Sequence, residues 1–126
     1  MLQGTSAPVV YIVDDDDAVR DGLARLLRSA GLVPQPFAAA EQFLAAVTDA
    51  SRGCVLLDIT MPSMSGPQVQ ACLNERKIAL PVIAISARDD AQTRSQTRAL
   101  GARMFLRKPV DAQALLDAIE WVFQRS

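Results

Sequence analysis

Short runs of apolar residues alternate along this chain with longer segments in which apolar residues recur at helical spacing. Uninterrupted apolar runs are typical of strands that are buried on both faces of a parallel sheet. The alternation of the two patterns therefore predicts successive βαβ units. The predicted strands cover residues 9–13, 32–37, 55–57, 82–86 and 104–106.

A segment of helical period follows each predicted strand. The first helix begins at Asp16 or Asp17, where a carboxylate can cap it, and stops at Gly31. The third begins near Ser65 and Pro67, because a proline is tolerated in a first turn. The other helices are predicted at about residues 40–49, within residues 88–101 and from about Asp111 onward.

The predicted fourth helix is unusually polar. Only Ala91, Ala99 and Leu100 offer apolar surface, so packing holds this helix weakly. It is either a solvated edge helix or a movable element, and the pattern leaves both interpretations open.

Right-handed crossovers arrange five such units as a doubly wound (βα)5 sheet with helices on both faces. In such sheets, ligands bind beyond the carboxyl ends of the strands. The length of 126 residues suits one domain. We expect a short tail at residues 1–7 and a single domain over residues 8–126.

Composition and charge narrow the range of functions. The chain is 50% hydrophobic and 21% charged, which is typical of globular proteins. Its formal net charge of -1 gives no electrostatic reason to expect direct binding to nucleic acid. It has neither an apolar run approaching the roughly 20 residues that span a bilayer nor the pattern of a signal peptide, so we expect no membrane association and a cytoplasmic location.

The rare residue types exclude several kinds of chemistry. The chain has no histidine, which removes Ser-His-Asp and Cys-His catalysis and the commonest transition-metal ligand. Cys54 and Cys72 are too few for a zinc site or a disulfide framework, and we interpret both as small buried hydrophobic residues. Carboxylates, hydroxyls and lysine remain as the groups that could carry out chemistry or bind a ligand.

Candidate site residues stand at the ends of four of the predicted strands. They are Asp14 and Asp15 after the first, Asp58 after the third, Ser86 and Ala87 after the fourth, and Lys108 and Pro109 after the fifth. Because parallel strands end at one edge of the sheet, three carboxylates, a hydroxyl and an ammonium should converge there. Clustered carboxylates suit Mg²⁺, and a carboxylate is also the plausible nucleophile, because aspartyl phosphates are known intermediates. Asp16 and Asp17 are interpreted as solvated residues at the start of the first helix.

The segments "IVDDD", "LLDITMPSMSG", "VIAISA" and "ALGARMFLRKP", with their spacing, resemble a response regulator receiver domain, the phosphoacceptor of a two-component system. The resemblance runs from Val9 to about Gln124, and "MPSMSG" and "DAIEWV" resemble the FixJ-like class in particular. It implies a flavodoxin-like three-layer α/β sandwich with strand order 2-1-3-4-5.

The resemblance also implies a role for each site residue. Asp58 would be the phosphoacceptor. Asp15, Asp58 and the backbone carbonyl of Thr60 would bind Mg²⁺ directly, with Asp14 acting through water and Mn²⁺ as an alternative ion. Lys108 would pair with Asp58 and then with the phosphoryl group, and the Lys108 to Pro109 bond would be cis.

The remaining roles concern the response to phosphorylation. Ser86 and Phe105 correspond to the switch hydroxyl and the switch aromatic residue, where threonine and tyrosine are commoner. Ala87, Thr60 and Arg88 would surround the phosphoryl group, with Thr60 and Arg88 tuning its rate of hydrolysis.

The implied partners are a sensor histidine kinase or a phosphotransfer protein, and the chain would be a phosphoacceptor rather than a turnover enzyme. A second copy would bind through the fourth helix, fifth strand and fifth helix on phosphorylation. That pairing is compatible with four arginines, Arg94, Arg98, Arg103 and Arg107. A C-terminal DNA-binding output domain, which this chain does not contain, is a further expectation.

Three alternative functions share parts of this pattern. A phosphatase or phosphotransferase of the haloacid-dehalogenase type needs a second acid two residues after the nucleophile, where this chain has Thr60. A flavodoxin-like FMN module needs a phosphate loop where this chain has acids, which would repel phosphate. A pseudo-receiver that only binds partners is disfavoured because each residue needed for phosphorylation is present.

Overall fold

The computed structural model describes residues 8–61, 64–87 and 90–124. Strands and helices alternate along the chain. The strands are β1 (Val9–Val13), β2 (Val33–Phe37), β3 (Cys54–Asp58), β4 (Val82–Ser86) and β5 (Met104–Arg107). The helices are α1 (Asp17–Ser29), α2 (Ala40–Ala46), α3 (Gly66–Glu75), α4 (Ala91–Ala99) and α5 (Ala112–Gln124).

All neighbouring strands pair in parallel, in the order β2-β1-β3-β4-β5. The predicted doubly wound sheet and its strand order are thereby confirmed. The chain passes from β1 to β2 on one side and then crosses back over β1 to β3, so β1 and β3 lie side by side at the centre of the sheet. Val13 pairs with Leu57, one residue before Asp14 and Asp58 respectively.

The core lies in two layers, one on each face of the sheet. Side chains alternate across a strand, so Val10 and Ile12 pack with α1 and α5, whereas Tyr11 and Val13 pack with α2 and α3. All five residues of β3 and all five of β4 are buried. Burial on both faces explains why these strands appear in the sequence as uninterrupted apolar runs.

The helix starts follow the predicted capping residues. The Asp16 side chain accepts a hydrogen bond from the backbone N–H of Val19 at the start of α1. Ser65 and Gln68 form a reciprocal capping box at the start of α3. Such caps satisfy backbone donors that the helix itself leaves unpaired.

Helix α2 is shorter than the predicted range of 40–49. It ends at Ala46, because Val47 is already extended, with φ -101° and ψ 152°. The chain then turns through a hydrogen bond from the Thr48 N–H to the Ser51 hydroxyl. Val47 is buried although it lies outside the helix, so its apolar character does not require helical structure.

The alanines of α4 are not the residues that it buries. Ala91 and Ala99 are exposed, and the buried residue of α4 is Thr97. Two side chains of α3 hold the helix: Gln70 Nε2 donates to the Thr97 carbonyl at 3.2 Å, and Asn74 Nδ2 donates to the Leu100 carbonyl at 3.1 Å. Polar contacts to the backbone therefore attach α4.

The cysteine prediction is half right. Cys54 is buried in β3, whereas Cys72 is only partly buried on α3. The predicted tail at residues 1–7 and the predicted pocket residue Arg88 lie outside the described residues. None of the helices in the described part of the chain has both the length and the apolar character needed to cross a membrane.

Candidate functional site

Asp14 lies where β1 ends, at the carboxyl edge of the sheet. Its N–H still donates to the Phe37 carbonyl at 3.2 Å, so β1 holds its backbone in place. Its side chain is 0% exposed, and its Oδ1 accepts the N–H of Asp16 at 2.9 Å. A carboxylate so deeply buried needs a cationic partner.

Asp58 is the last residue of β3 and is 3% exposed. Its Oδ1 accepts two hydrogen bonds from Thr60, one from the N–H and one from the hydroxyl, both at 3.0 Å. These bonds orient the carboxyl group so that Oδ2 of Asp58 faces Lys108. Thr60, which stands where the haloacid-dehalogenase type has its second acid, therefore acts here as a hydrogen-bond donor to Asp58.

Lys108 brings the positive charge to this cluster. Its N–H donates to the Ser86 carbonyl at 2.8 Å, which ties the end of β5 to the end of β4. Its Nζ lies 2.9 Å from Asp14 Oδ2 and 3.4 Å from Asp58 Oδ2. The Lys108–Pro109 peptide bond is cis, the isomer that the resemblance implies.

The burial of these groups shifts their protonation equilibria. Burial raises the pKa of Asp14, and the neighbouring Asp58 raises it further, which together outweigh the effect of Lys108. Burial by itself lowers the pKa of Lys108, but the two carboxylates outweigh it, so the pKa of Lys108 is raised overall. Lys108 is therefore held as an ammonium between the two acids.

The carboxylates can hold a metal ion. One oxygen each from Asp14, Asp15 and Asp58 lie within 4.8 Å of one another. Asp14 Oδ2 is buried and accepts no aligned hydrogen bond within the described residues, although Lys108 forms an ion pair with it. Asp15 is exposed, so the cluster opens to solvent on its side. Hard oxygen ligands with room for water match the preference of Mg²⁺.

The other predicted residues are placed as follows. Ser86 is buried at the end of β4, and Ala87 is exposed directly after it. Phe105 is half-buried on β5, with the guanidinium of Arg94 4.8 Å from its ring centroid. The strand ends therefore bring Asp14, Asp58, Ser86 and Lys108 to one edge, while Phe105 faces α4.

The contacts of two arginines near these residues were not predicted. Arg20 Nη1 donates to the Asp14 carbonyl at 2.9 Å, and its guanidinium also pairs with Asp17. The spacing of Asp17 and Arg20 is that of an i, i+3 pair on a helix, which is a usable signal for that ion pair. The contact of Arg94 with Phe105 joins α4 to β5, and local spacing carries no signal for it.

The chain is similar to known proteins over most of its length. The family model described as "Response regulator receiver domain" matches residues 10–120. The chain is 45% identical over 114 residues to the transcriptional regulatory protein TdiR of Thauera aromatica, covering 90% of this chain and 50% of TdiR. The chain thus spans about half the length of that relative.

Solved structures show the same similarity. The structure of response regulator StyR superposes with a TM-score of 0.85 at 42% identity, covering 92% of this chain and 59% of that one. The FixJ-N crystal structure also superposes with a TM-score of 0.85, at 34% identity, covering 92% of this chain and 93% of that one.

Proposed function

Because the chain belongs to the response regulator receiver domain family, we propose that Asp58 accepts a phosphoryl group in a Mg²⁺-dependent reaction. The donor would be the phosphohistidine of a sensor histidine kinase or of a phosphotransfer protein, or a small acyl phosphate. The observation that carries the proposal is the ammonium of Lys108 held against two buried carboxylates, Asp14 and Asp58.

In the proposed transfer, a carboxylate oxygen of Asp58 forms a bond to phosphorus while the bond from phosphorus to the donor nitrogen breaks. The donor imidazole leaves with the electron pair of that bond. Lys108 is placed to neutralise charge on the phosphoryl oxygens, since its Nζ lies 3.4 Å from Asp58 Oδ2. Positioning and electrostatics are the main contributions a protein makes to phosphoryl transfer.

Asp14, Asp15 and Asp58 would hold the ion, with the Thr60 carbonyl as a further ligand and Mn²⁺ as an alternative to Mg²⁺. When bound, the ion supplies positive charge beside the acceptor and the phosphoryl oxygens. The chain's own contribution is to hold the acids together against their repulsion, through the strand ends and through Lys108.

Phosphorylation would then alter the surface made by α4, β5 and α5. The phosphoryl group would draw in the Ser86 hydroxyl, and Phe105 would rotate inward. The attachment of α4 through Gln70 and Asn74 supports this, because a helix held by few polar contacts can shift at small cost. That surface would bind an output domain, a second copy or another partner.

Release of the phosphoryl group would reset the protein. Water would attack phosphorus, and Asp58 would leave as the carboxylate. We propose that the chain is a phosphoacceptor that promotes its own phosphorylation and dephosphorylation, rather than a turnover enzyme. The relatives named as transcriptional regulators support a cytoplasmic protein whose output is transcription, through a DNA-binding domain beyond this chain.

The proposal is tested by incubating the protein with acetyl phosphate and Mg²⁺ and measuring its intact mass. The parent should gain one phosphoryl group, which should be lost on standing, and chelation of the metal should prevent the gain. Asp58→Asn should gain none.

The matched control is Asp16→Asn, which removes a carboxylate from the same acidic run but keeps a good helix cap. It should be labelled as the parent is. Equal labelling of Asp58→Asn and the parent would show that Asp58 is not the acceptor. Steady release of phosphate from an ester substrate would favour the phosphatase alternative.

A further inference from the structure

Arg20 connects the first turn of α1 to the end of β1. Its N–H donates to the Asp16 carbonyl at 3.0 Å, and its side chain reaches further back, so that Nη1 donates to the Asp14 carbonyl at 2.9 Å. The same guanidinium pairs with the carboxylate of Asp17. Long helical side chains point toward the N-terminus of their helix, which is why Arg20 reaches residues that precede α1. One residue therefore contacts three of the four consecutive acids.

The stability of α1 does not account for the position of Arg20. Its side chain is 16% exposed, whereas Arg25 and Arg28 of the same helix are exposed. The helix dipole opposes a positive charge in the first turn. The ion pair with Asp17, whose side chain is 86% exposed, contributes little in water. The bond to the Asp14 carbonyl is thus the contact that gives a reason for holding this guanidinium against the end of β1.

The bond from Arg20 fixes the peptide unit that joins Asp14 to Asp15. A peptide unit is planar, so the direction of the Asp14 carbonyl also sets the orientation of the Asp15 backbone. The N–H of Asp14 is held from the other side by the Phe37 carbonyl at 3.2 Å. Asp15 is exposed, so packing gives its carboxylate little support. The backbone that Arg20 holds therefore determines where this carboxylate lies.

We infer that Arg20 is a positioning residue for the metal site, because it holds Asp15 where its carboxylate can bind a divalent cation with the two buried acids. One oxygen each from Asp14, Asp15 and Asp58 lie within 4.8 Å of one another. Groups that orient metal ligands without touching the ion contribute strongly to metal affinity. The inference rests on the proposed function, since the Mg²⁺ site is part of it.

Charge and position predict opposite effects of removing this guanidinium. Arg20 carries a positive charge near the acids, so electrostatic repulsion alone would make Mg²⁺ bind more tightly once that charge is removed. Loss of positioning would make Mg²⁺ bind more weakly, because Asp15 would no longer be held beside the buried acids. The sign of the change in Mg²⁺ affinity therefore distinguishes the two effects.

The test titrates isotope-labelled protein with MgCl₂ and follows the backbone amide signals of Asp15 and Asp58 by NMR. Arg20→Met keeps a long side chain but has no donor, and it should raise the dissociation constant of Mg²⁺ by about tenfold. Arg20→Lys can still donate one hydrogen bond to the Asp14 carbonyl, so its loss of affinity should be smaller. Labelling by acetyl phosphate should be slower in Arg20→Met at low Mg²⁺ and should approach the parent rate at saturating Mg²⁺.

The matched control is Arg25→Met, which removes the same charge from an exposed position on α1. It should bind Mg²⁺ within about twofold of the parent. Unchanged or tighter binding by Arg20→Met would overturn the inference, and so would an equal weakening in Arg25→Met. The NMR spectra also show whether each variant is folded. If Arg20→Met is not, Arg20→Lys takes its place, and binding as tight as that of the parent would overturn the inference.

The two proposals fail separately. If Asp58 is phosphorylated but Arg20→Met binds Mg²⁺ as the parent does, the inference fails and the proposed function stands. If Arg20→Met weakens Mg²⁺ binding but Asp58 takes no phosphoryl group, the proposed function fails and the positioning role stands. A parent protein whose amide signals did not respond to Mg²⁺ would overturn both.

Discussion

Lys108 Nζ lies closer to Asp14 than to Asp58, at 2.9 Å from Oδ2 of Asp14 and 3.4 Å from Oδ2 of Asp58. The lysine is therefore the counter-ion of the more deeply buried acid. The same ammonium is within reach of the acceptor. One residue thus stabilises the acidic cluster and supplies charge at the position of the proposed chemistry.

Replacing Lys108 by Met should destabilise the protein by roughly 1–3 kcal/mol, because Asp14 would be left buried without its cation. Mg²⁺ should restore more stability to this variant than it adds to the parent, since ion binding is linked to folding. Urea unfolding with and without Mg²⁺ measures both effects. The control is Arg107→Met, at an exposed neighbouring position, which should change the free energy of unfolding little. Equal stability of Lys108→Met and the parent would contradict the counter-ion role.

Gly66→Ala should destabilise the protein, because an added Cβ would lie 2.6 Å from Cα of Ile59, and a backbone atom cannot easily move away. A cost of roughly 1–3 kcal/mol is expected from such overpacking. Gly22→Ala is the matched control within a helix, since its Cβ would meet nothing within 4 Å. That change should stabilise α1 by roughly 0.5–1 kcal/mol. Urea unfolding followed by circular dichroism should show shifts of opposite sign.

Native protein should be alkylated by iodoacetamide at Cys72 and spared at Cys54. Cys54 is 0% exposed, and burial raises the pKa of its thiol to about 12, so almost no thiolate forms near neutral pH. Peptide mass spectrometry identifies the modified residue, and denatured protein should react at both. Native labelling that persisted in Cys72→Ser would show that Cys54 is accessible.

The same thiol should affect stability at alkaline pH. In the unfolded chain Cys54 ionises around its ordinary pKa of 9.0, whereas in the folded protein it stays protonated up to about pH 12. Its contribution is therefore fully present below pH 9 and is lost as the pH rises from there toward 12. Cys54→Val should lessen this decline in urea unfolding measured across that range, and an identical decline in both proteins would contradict the effect.

The contact of Arg94 with Phe105 should appear as a coupling free energy of roughly 0.5–1 kcal/mol, the value for an exposed cation–π pair. A double-mutant cycle with Arg94→Ala and Phe105→Leu measures it by unfolding. A second cycle with Arg98→Ala and Phe105→Leu is the control. Arg98 lies one helical turn from Arg94 on α4 but does not stack on the Phe105 ring, so its coupling should be near zero. Equal couplings in both cycles would exclude a specific stack.

Much of the fold was accessible from local pattern. The apolar runs located β1 and β4 with their observed bounds, because burial on both faces leaves few polar positions within such strands. Asp16 and Ser65 marked the starts of α1 and α3, because a capping side chain acts within the first turn. The predicted end of α2 was wrong, because Val47 is buried by tertiary packing rather than by continuation of the helix.

The features of the site also separate into those that the local pattern predicted and those that only tertiary packing decided. The sequence by itself determined that Asp14, Asp15, Asp58 and Lys108 lie at one edge, because parallel strands with right-handed crossovers all end there. Only the tertiary structure decided which acid holds the lysine, that Thr60 orients Asp58, and that Thr97 rather than an alanine is the buried residue of α4. These facts depend on distances between atoms far apart in the chain. Periodicity and spacing record which face a residue occupies, and they do not record its neighbour across that face.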